Sequence, residues 1–135
     1  VTSPRPNFSA YASSKSALVS FSATLAEELK QSGVRVNCIA PGPMPTDMLK
    51  EVLNTKAELA GEKELAAAKK VFSNHASPFL QVLELCEFLI LEESKDITGK
   101  LISAVWDDWR SFETFSSEIW NSNLFTLRRI TPEDM

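Results

Sequence analysis

Tyr11 and Lys15 are the residues best suited to chemistry, and they stand four positions apart in the run Tyr-Ala-Ser-Ser-Lys. Four residues make about one turn of an α-helix, so both side chains leave the helix on the same face. A phenol is a poor proton carrier at neutral pH, but a cation held beside it favours the phenolate. The pair therefore indicates a tyrosine that donates and accepts protons, assisted by the lysine.

Taken alone, this spacing is more typical of an ordinary pair of side chains on a helix surface. A second motif, in residues 33–46, changes the interpretation. It reads Gly-Val-Arg-Val-Asn-Cys-Ile-Ala-Pro-Gly-Pro-Met-Pro-Thr. Each motif is weak by itself, and the two in this order are specific.

With these motifs, and with Ser-Ala-Leu directly after Lys15, residues 1–105 resemble the short-chain dehydrogenase/reductase family. The resemblance implies an α/β fold, the C-terminal half of a Rossmann-type domain with a doubly wound parallel sheet. It also implies reversible hydride transfer between NAD or NADP and a carbonyl or alcohol substrate. Members of the family are usually dimers or tetramers, so a homo-oligomer is expected.

The resemblance also implies a role for each motif residue. Tyr11 would exchange a proton with the substrate oxygen, while Lys15 would hold the ribose hydroxyls of the cofactor. Four further cofactor contacts are implied in the loop after the first strand, at Pro41, Gly42, the main chain of Met44, and Thr46. Thr46 has an alternative role as the N-cap of a following helix, and the two roles are compatible.

Two parts of the family pattern do not occur in this sequence. The serine that polarises the carbonyl would fall just before Val1, and Ser3 and Ser9 are too close to Tyr11 to replace it. A glycine-rich pyrophosphate loop and the residue that selects NAD or NADP are also missing. We therefore expect these 135 residues to be a fragment of an oxidoreductase that is inactive alone. The alternative is a non-catalytic oligomerisation or interaction module.

The elements that would position Tyr11 and Lys15 begin with a long helix. Apolar residues recur at helical spacing over residues 9–32, and Gly33 is a helix stop. The small residues at the start of this helix suit either the close approach of a flat ligand or helix packing. A buried strand is predicted at residues 34–39, which places the proline-rich loop at its carboxyl end, where ligands bind in open α/β sheets. In this strand Asn37 is expected to form a structural hydrogen bond.

Residues 47–73 carry an amphipathic helical pattern, which Gly61 is expected to divide into two helices. These helices could be a lid over a substrate pocket or a solvated excursion, and the sequence does not decide between them. A further helix is predicted from the N-cap at Ser77-Pro78 to Glu93, followed by a second strand at residues 101–105. Strand, helix and strand in this order predict a parallel crossover.

Residues 106–135 depart from the α/β pattern. Large apolar side chains recur there at helical spacing, namely Trp106, Trp109, Phe112, Phe115, Ile119 and Trp120. We expect a C-terminal extension with an amphipathic helix whose aromatic residues pack on the domain or form a subunit or substrate contact, because so much aromatic area is costly to leave in water.

The composition excludes other classes of function. A net charge of −4 and a pI near 5.0 argue against binding to nucleic acid or to anionic membranes, and no apolar run is long enough for a membrane span. Cys38 and Cys86 lack the spacing of a metal site and are expected to be buried free thiols in a reducing, cytoplasmic compartment. His75 is expected to be a capping or surface residue.

Overall fold

The computed structural model describes residues 5–73, 79–114, 120–129 and 131. Five α-helices and two strands occur among these residues. In chain order they are α1 (Ser9–Leu29), β1 (Cys38–Ala40), α2 (Asp47–Asn54), α3 (Ala57–Ala60), α4 (Glu62–Ser73), α5 (Phe79–Ile90) and β2 (Leu101–Ser103). Short 3-10 helices follow α1, α5 and β2, at Lys30–Ser32, Glu92–Ser94 and Trp109–Thr114.

The two strands pair in parallel, with helices on both faces of the sheet. Cys38 is opposite Leu101, and Ile39 is opposite Ile102. Successive residues of a strand point to opposite faces. Ile39 and Ile102 pack with residues of α5 in the hydrophobic core, whereas Cys38 and Leu101 border a small cavity of about 160 Å³ that α1 lines from its other side. This arrangement confirms the predicted α/β fold with a parallel strand pair.

Helix α1 forms where the sequence predicted it. It continues through the 3-10 turn Lys30–Ser32 and ends at Gly33, which has a φ of 68° in the left-handed region. Glycine adopts this conformation without the steric penalty that a Cβ brings, so it ends the helix at low cost. The predicted stop is confirmed.

Strand β1 is shorter and less buried than the strand predicted at residues 34–39. Val34 is 48% exposed, and residues 34–37 lie outside the strand. The main chain of Val36 is held partly by a side chain, since its N–H donates to Oγ1 of Thr98 at 3.1 Å, while its carbonyl accepts from the N–H of Gly99 at 2.8 Å. A side-chain acceptor interrupts the regular ladder here, so the strand starts only at Cys38.

Asn37 continues this connection to the second strand. Its side-chain amide donates to the carbonyl of Ile97 at 2.8 Å, and its side-chain oxygen accepts from the N–H of Lys100 at 3.0 Å. One side chain thus satisfies two main-chain groups just ahead of β2. The structural role predicted for Asn37 is confirmed.

The segment after β1 contains three helices instead of the predicted two. Gly61, with a φ of 87°, separates α3 from α4 as expected. A further break lies at Thr55, whose extended backbone ends α2. Helices α2 and α4 pack against each other, and Ala68 of α4 is fully buried.

Helix α5 ends at Ile90, earlier than the predicted Glu93, and its predicted start at Ser77-Pro78 lies outside the described residues. Leu85 and Phe88 are buried against the sheet. The apolar stripe of the helix is wider than two strands can cover. Cys86 is consequently exposed. Cys38, on the other face of the sheet, is only half-buried, so the prediction of two buried thiols was wrong.

Three C-terminal aromatic residues, Trp109, Phe112 and Trp120, belong to the hydrophobic core. Residues 106–114 do not form the predicted amphipathic α-helix, because the chain makes a turn at residues 104–106 and then the 3-10 helix Trp109–Thr114. The ring of Phe112 lies 6.4 Å from Phe88, 4.9 Å from Trp120 and 5.0 Å from Phe125, measured between centroids. Phe115 and Ile119 lie outside the described residues. His75 also lies outside them.

The same C-terminal segment covers the outer edge of β2. The N–H of Leu101 donates to the carbonyl of Phe125 at 2.7 Å, and the N–H of Ser103 donates to Oδ2 of Asp107 at 2.7 Å. Both outward N–H groups of this short strand are therefore paired. Such pairing prevents the edge from recruiting a strand of another chain.

Candidate active site

Tyr11 and Lys15 lie in the first turns of α1, and their side chains meet. The ammonium of Lys15 stands over the ring of Tyr11, with its nitrogen 5.6 Å from the ring centroid. Tyr11 is 41% exposed, and the ring of Phe8 packs edge-on against it at 6.2 Å. The four-residue spacing brings the two side chains together, and Phe8 supports the tyrosine from one side.

The reactive ends of both side chains are available to a ligand. The main-chain carbonyl of Tyr11 accepts a hydrogen bond from Oγ of Ser14 at 2.8 Å. Within the described part of the chain, neither the phenol oxygen of Tyr11 nor the ammonium of Lys15 has a hydrogen-bond or ion-pair partner. A proton donor and a cation therefore stand side by side at the surface without being committed to structural bonds.

The proline-rich loop after β1 approaches the end of β2 closely. Gly42 has a φ of 79°, and a Cβ built on it would come within 2.7 Å of Cγ2 of Val105. The N–H of Ala104 donates to the carbonyl of Ala40 at 3.0 Å, which fixes the distance between the two strand ends. A glycine is required at position 42 for this close approach and for its backbone conformation.

Thr46 is the N-cap of α2. Its Oγ1 accepts from the N–H of Leu49 at 3.4 Å, and its own N–H donates to the carbonyl of Met44 at 2.8 Å. The predicted capping role is confirmed, and the hydroxyl hydrogen remains available as a donor. In the next position, a hydrogen bond and the charge of Lys50 hold the pKa of the Asp47 carboxyl below its ordinary value.

The start of α1 and the proline-rich loop lie at the same end of the molecule. Ala26, near the end of α1, lies close to Gly99, since a Cβ built on this glycine would stand 3.5 Å from the Cβ of Ala26. Gly99 comes just before β2, so this end of the helix lies by the amino ends of the strands. Tyr11 precedes Ala26 by fifteen residues, which is roughly 22 Å along a helix axis. The helix thus carries Tyr11 towards the carboxyl ends of the strands, where the loop is.

Two contacts support this placement. Arg5 pairs with Glu64 of α4 at 3.4 Å, and the side-chain amide of Asn7 donates to the carbonyl of Leu59 in α3 at 3.0 Å. Both residues belong to the loop that leads into α1. Since α4 packs on α2, and α2 directly follows the proline-rich loop, these contacts connect the start of α1 with that loop.

The described residues fit the nicotinamide part of a dinucleotide. Among them the site offers an uncommitted phenol and ammonium, a glycine that lets the main chain approach closely, and the hydroxyl of Thr46. The N–H of Met44 also forms no hydrogen bond within the described part of the chain. They do not provide a cradle for the pyrophosphate, because the sequence has only four glycines, at positions 33, 42, 61 and 99, and no glycine-rich run.

Sequence reasoning missed one residue at this edge. Trp106 follows Val105 directly and is 72% exposed, although the sequence pattern assigned it to an apolar helix face. It follows Val105, whose side chain lies close to Gly42 of the proline-rich loop. The only available signal was its place after a predicted strand, at the carboxyl edge.

Comparison with known proteins agrees with the motifs. The family model described as short chain dehydrogenase matches residues 2–57. Oxidoreductase UcpA of Salmonella typhimurium is 38% identical over 95 residues, which cover 70% of this chain and 36% of that protein. A short-chain type dehydrogenase/reductase of Picea abies is 32% identical over 108 residues, covering 76% of this chain and 35% of that protein.

A shorter match reaches higher identity. The NADPH-dependent aldehyde reductase-like protein, chloroplastic, of Arabidopsis thaliana is 50% identical over 44 residues, which cover 33% of this chain and 16% of that protein. No solved structure matches the chain. The chain belongs to the short-chain dehydrogenase/reductase family and spans about a third of the length of the relatives that match most of it.

Two further observations concern the described residues only. None of their helices combines the length and the apolar character needed to cross a membrane. Their His, Cys, Asp and Glu side chains form no group of three or more that could hold a metal ion.

Proposed function

We propose that this chain forms the catalytic part of an NAD(P)-dependent oxidoreductase that interconverts carbonyl compounds and alcohols. The observation that carries the proposal is the uncommitted Tyr11 and Lys15 pair, located at the same end of the molecule as the Gly42 loop. The family membership supports it. A bound nicotinamide would supply the hydride.

In the reducing direction, Tyr11 donates its phenolic proton to the carbonyl oxygen as the carbonyl carbon receives the hydride. The ammonium of Lys15 stabilises the phenolate that remains on Tyr11, because opposite charges attract strongly near a partly desolvated surface. Lys15 would also bind the ribose hydroxyls of the cofactor, and Met44 and Thr46 would hold the carboxamide of the nicotinamide. In the oxidising direction, the phenolate of Tyr11 accepts the alcohol proton.

We propose further that the 135 residues alone bind dinucleotide too weakly to turn over. Their glycines are isolated, so the sequence has no glycine-rich run of the kind that cradles a pyrophosphate. Calorimetric titration of the 135-residue chain with NADPH and with NADH should show no saturable binding. Saturable binding by this chain would contradict the proposed inactivity. A cytoplasmic location belongs to the same proposal, because it supplies both cofactors and keeps the two cysteines reduced.

The test of the catalytic proposal uses the protein expressed from its complete coding sequence. Wild type is assayed with NADH and NADPH against a panel of aldehydes and ketones, by the loss of reduced-nicotinamide absorbance. Tyr11→Phe should lower kcat by about a hundredfold or more, since it removes the proton donor. The KM for the cofactor should change little in this variant. Lys15→Met should lower kcat and also raise the KM for the cofactor.

The matched control for Lys15 is Lys69→Met, which removes an exposed lysine of α4. This variant should retain wild-type activity. Normal turnover in Tyr11→Phe would remove Tyr11 from the mechanism. A wild-type protein without activity towards any member of the panel would contradict the proposed reaction.

We also propose that the protein is a homo-oligomer and that α1 contributes to the interface. Leu18 and Phe21 on this helix are 51% and 63% exposed, which favours a protein contact over water. Phe21→Glu should lower the mass measured by light scattering after size-exclusion chromatography. Lys63→Glu serves as the control, because Lys63 is an exposed residue of α4. An unchanged mass in Phe21→Glu would place the interface elsewhere.

A non-catalytic interaction module remains the second candidate. The exposed apolar side chains of α5 favour it, among them Leu80 at 63% and Ile90 at 76% exposure. It predicts an oligomeric or partner-bound protein that binds no nicotinamide cofactor, even when it is expressed from its complete coding sequence. Saturable NADPH binding by the protein from the complete coding sequence would reject this candidate.

A further inference from the structure

Trp106 is an exposed aromatic residue presented at the carboxyl edge of the sheet. Its side chain is 72% exposed, whereas Trp109 and Trp120 are 4% and 8% exposed and belong to the core. An indole is costly to leave in water. The three tryptophans come from the same C-terminal region, so the different exposure of Trp106 requires its own explanation.

The turn that carries Trp106 is fixed by hydrogen bonds on both sides. Ahead of it, Oγ of the buried Ser103 accepts from the N–H of Trp106 at 3.1 Å. Beyond it, Oδ2 of Asp107 accepts from the N–H of Ser103 at 2.7 Å, and the indole N–H of Trp109 donates to the carbonyl of Ala104 at 3.1 Å. These hydrogen bonds fix the main chain at Trp106, which reduces the entropy lost when a ligand packs on the residue.

The location of this turn connects it to the candidate active site. Val105 lies against Gly42, so close that a Cβ on the glycine would clash with the valine side chain. Trp106 is the next residue, so the chain carries it within one residue of the loop for which contacts with nicotinamide are proposed. Ligands of open α/β sheets bind at this edge.

The charges near Trp106 restrict the kind of ligand. Asp107 is committed to the N–H of Ser103, and the carboxylate of Asp108 accepts from Oγ of Ser111 at 2.5 Å. Within the described residues 103–114 the one cation is Arg110, which pairs with Glu84 and stacks on Trp109. Two carboxylates beside an apolar ring, with no free cation among these residues, disfavour an anionic ligand.

We propose that Trp106 forms a wall of the substrate site and makes the enzyme prefer neutral aromatic aldehydes and ketones. This inference rests on the proposed function. The indole packs against the ring of the substrate while Tyr11 acts on its carbonyl oxygen. Trp106 is thus a specificity-determining residue whose side chain contacts the substrate away from the reacting atoms.

The first test compares kcat/KM for benzaldehyde with kcat/KM for propanal, using the protein from the complete coding sequence. In Trp106→Ala the ratio of the two values should fall about fivefold to tenfold, because one aromatic contact is lost. Trp106→Phe should keep most of the preference. The control is Ile90→Ala, which removes an equally exposed apolar side chain from α5 and should leave the ratio unchanged.

The second test measures binding without turnover. Saturable quenching of tryptophan fluorescence by 4-nitrobenzyl alcohol, in the absence of cofactor, should occur in wild type and be lost in Trp106→Phe. The buried Trp109 and Trp120 keep a fluorescence signal that reports an intact fold. This readout stays informative if the wild-type protein reduces no carbonyl, an outcome that would contradict the proposed function.

Two results would overturn the inference about Trp106. One is an active Trp106→Ala enzyme with an unchanged ratio, which would leave the proposed reaction standing. The other comes from fluorescence: either the saturable quenching persists in Trp106→Phe, or the wild-type protein shows no saturable quenching. A lower oligomer mass in Trp106→Ala, together with an unchanged ratio, would assign the indole to a subunit contact instead.

Discussion

Val105 lies so close to Gly42 that a Cβ on the glycine would come within 2.7 Å of the valine Cγ2. This relationship joins the loop after β1 to the end of β2. It also sets the position of the neighbouring Trp106, because the two residues share one turn. The contact therefore couples the proposed cofactor loop to the proposed substrate wall.

Substitution of Gly42 by alanine should destabilise the protein by about 2–4 kcal/mol. One part of this cost is the φ of 79°, which disfavours a Cβ, and the other part is the clash with Val105. The free energy of unfolding can be measured in urea by tryptophan fluorescence. In the background of Val105→Ala, Gly42→Ala should cost less, since the clash is relieved and the φ penalty is not. An equal cost in both backgrounds would contradict the clash.

Substitution of Asn37 by alanine should lower the free energy of unfolding by about 1–3 kcal/mol. The change leaves the carbonyl of Ile97 and the N–H of Lys100 without their side-chain partner in a partly buried position. Urea unfolding provides the measurement. Asn54→Ala, at the exposed end of α2, is the matched control and should change the free energy by less than about 0.5 kcal/mol. Similar values for both variants would show that Asn37 is not structurally important.

Substitution of Asp107 by alanine should cost about 1.5–3 kcal/mol, because the N–H of Ser103 loses a charged acceptor. The variant also exposes part of the β2 edge, so its light-scattering mass should increase with protein concentration. Asp107→Asn keeps an oxygen acceptor and should retain most of the stability. The control is Asp96→Ala, an exposed position. A monodisperse Asp107→Ala protein with wild-type stability would show that Asp107 does not protect the edge of β2.

Lys100 should make stability depend on pH. The residue is 4% exposed, and its ammonium donates to the carbonyls of Ser122 and Leu124 at 2.8 and 3.2 Å. Burial lowers its pKa from the ordinary value, and the charge of Glu27 opposes this effect. Between the lowered pKa and the ordinary lysine value of about 10.4, the folded protein binds fewer protons than the unfolded chain. The contribution of Lys100 to stability therefore rises with pH across this window.

The measurement is the difference in unfolding free energy between wild type and Lys100→Met, followed from neutral pH upward. We expect the unfolding free energy of wild type to increase relative to that of Lys100→Met as the pH rises. Glu27→Gln is a second test. It removes the opposing charge, so the rise should begin at a lower pH. A difference that is constant with pH, or that shifts in favour of the Lys100→Met variant, would contradict the effect of burial.

The sequence predicted the features that depend on neighbouring residues. The spacing of Tyr11 and Lys15 places both on one helix face at any α-helical geometry, and Gly33 and Gly61 end helices because they accept left-handed backbone conformations. Thr46 caps α2 for an equally local reason. Together with the family motifs, these local features were enough to predict the α/β fold class and the Tyr11 and Lys15 part of the candidate site.

Long-range contacts determined the rest. β1 begins at Cys38 and not at Val34, because its pairing depends on residues about sixty positions later. Cys86 and Trp106 are exposed for a related reason, since an apolar periodicity does not specify how much surface the opposing element covers. Only the folded chain brings Val105 against Gly42, as the pairing of two distant strands fixes that distance. The sequence therefore determined the chemistry of single elements, and the tertiary structure decided which elements meet.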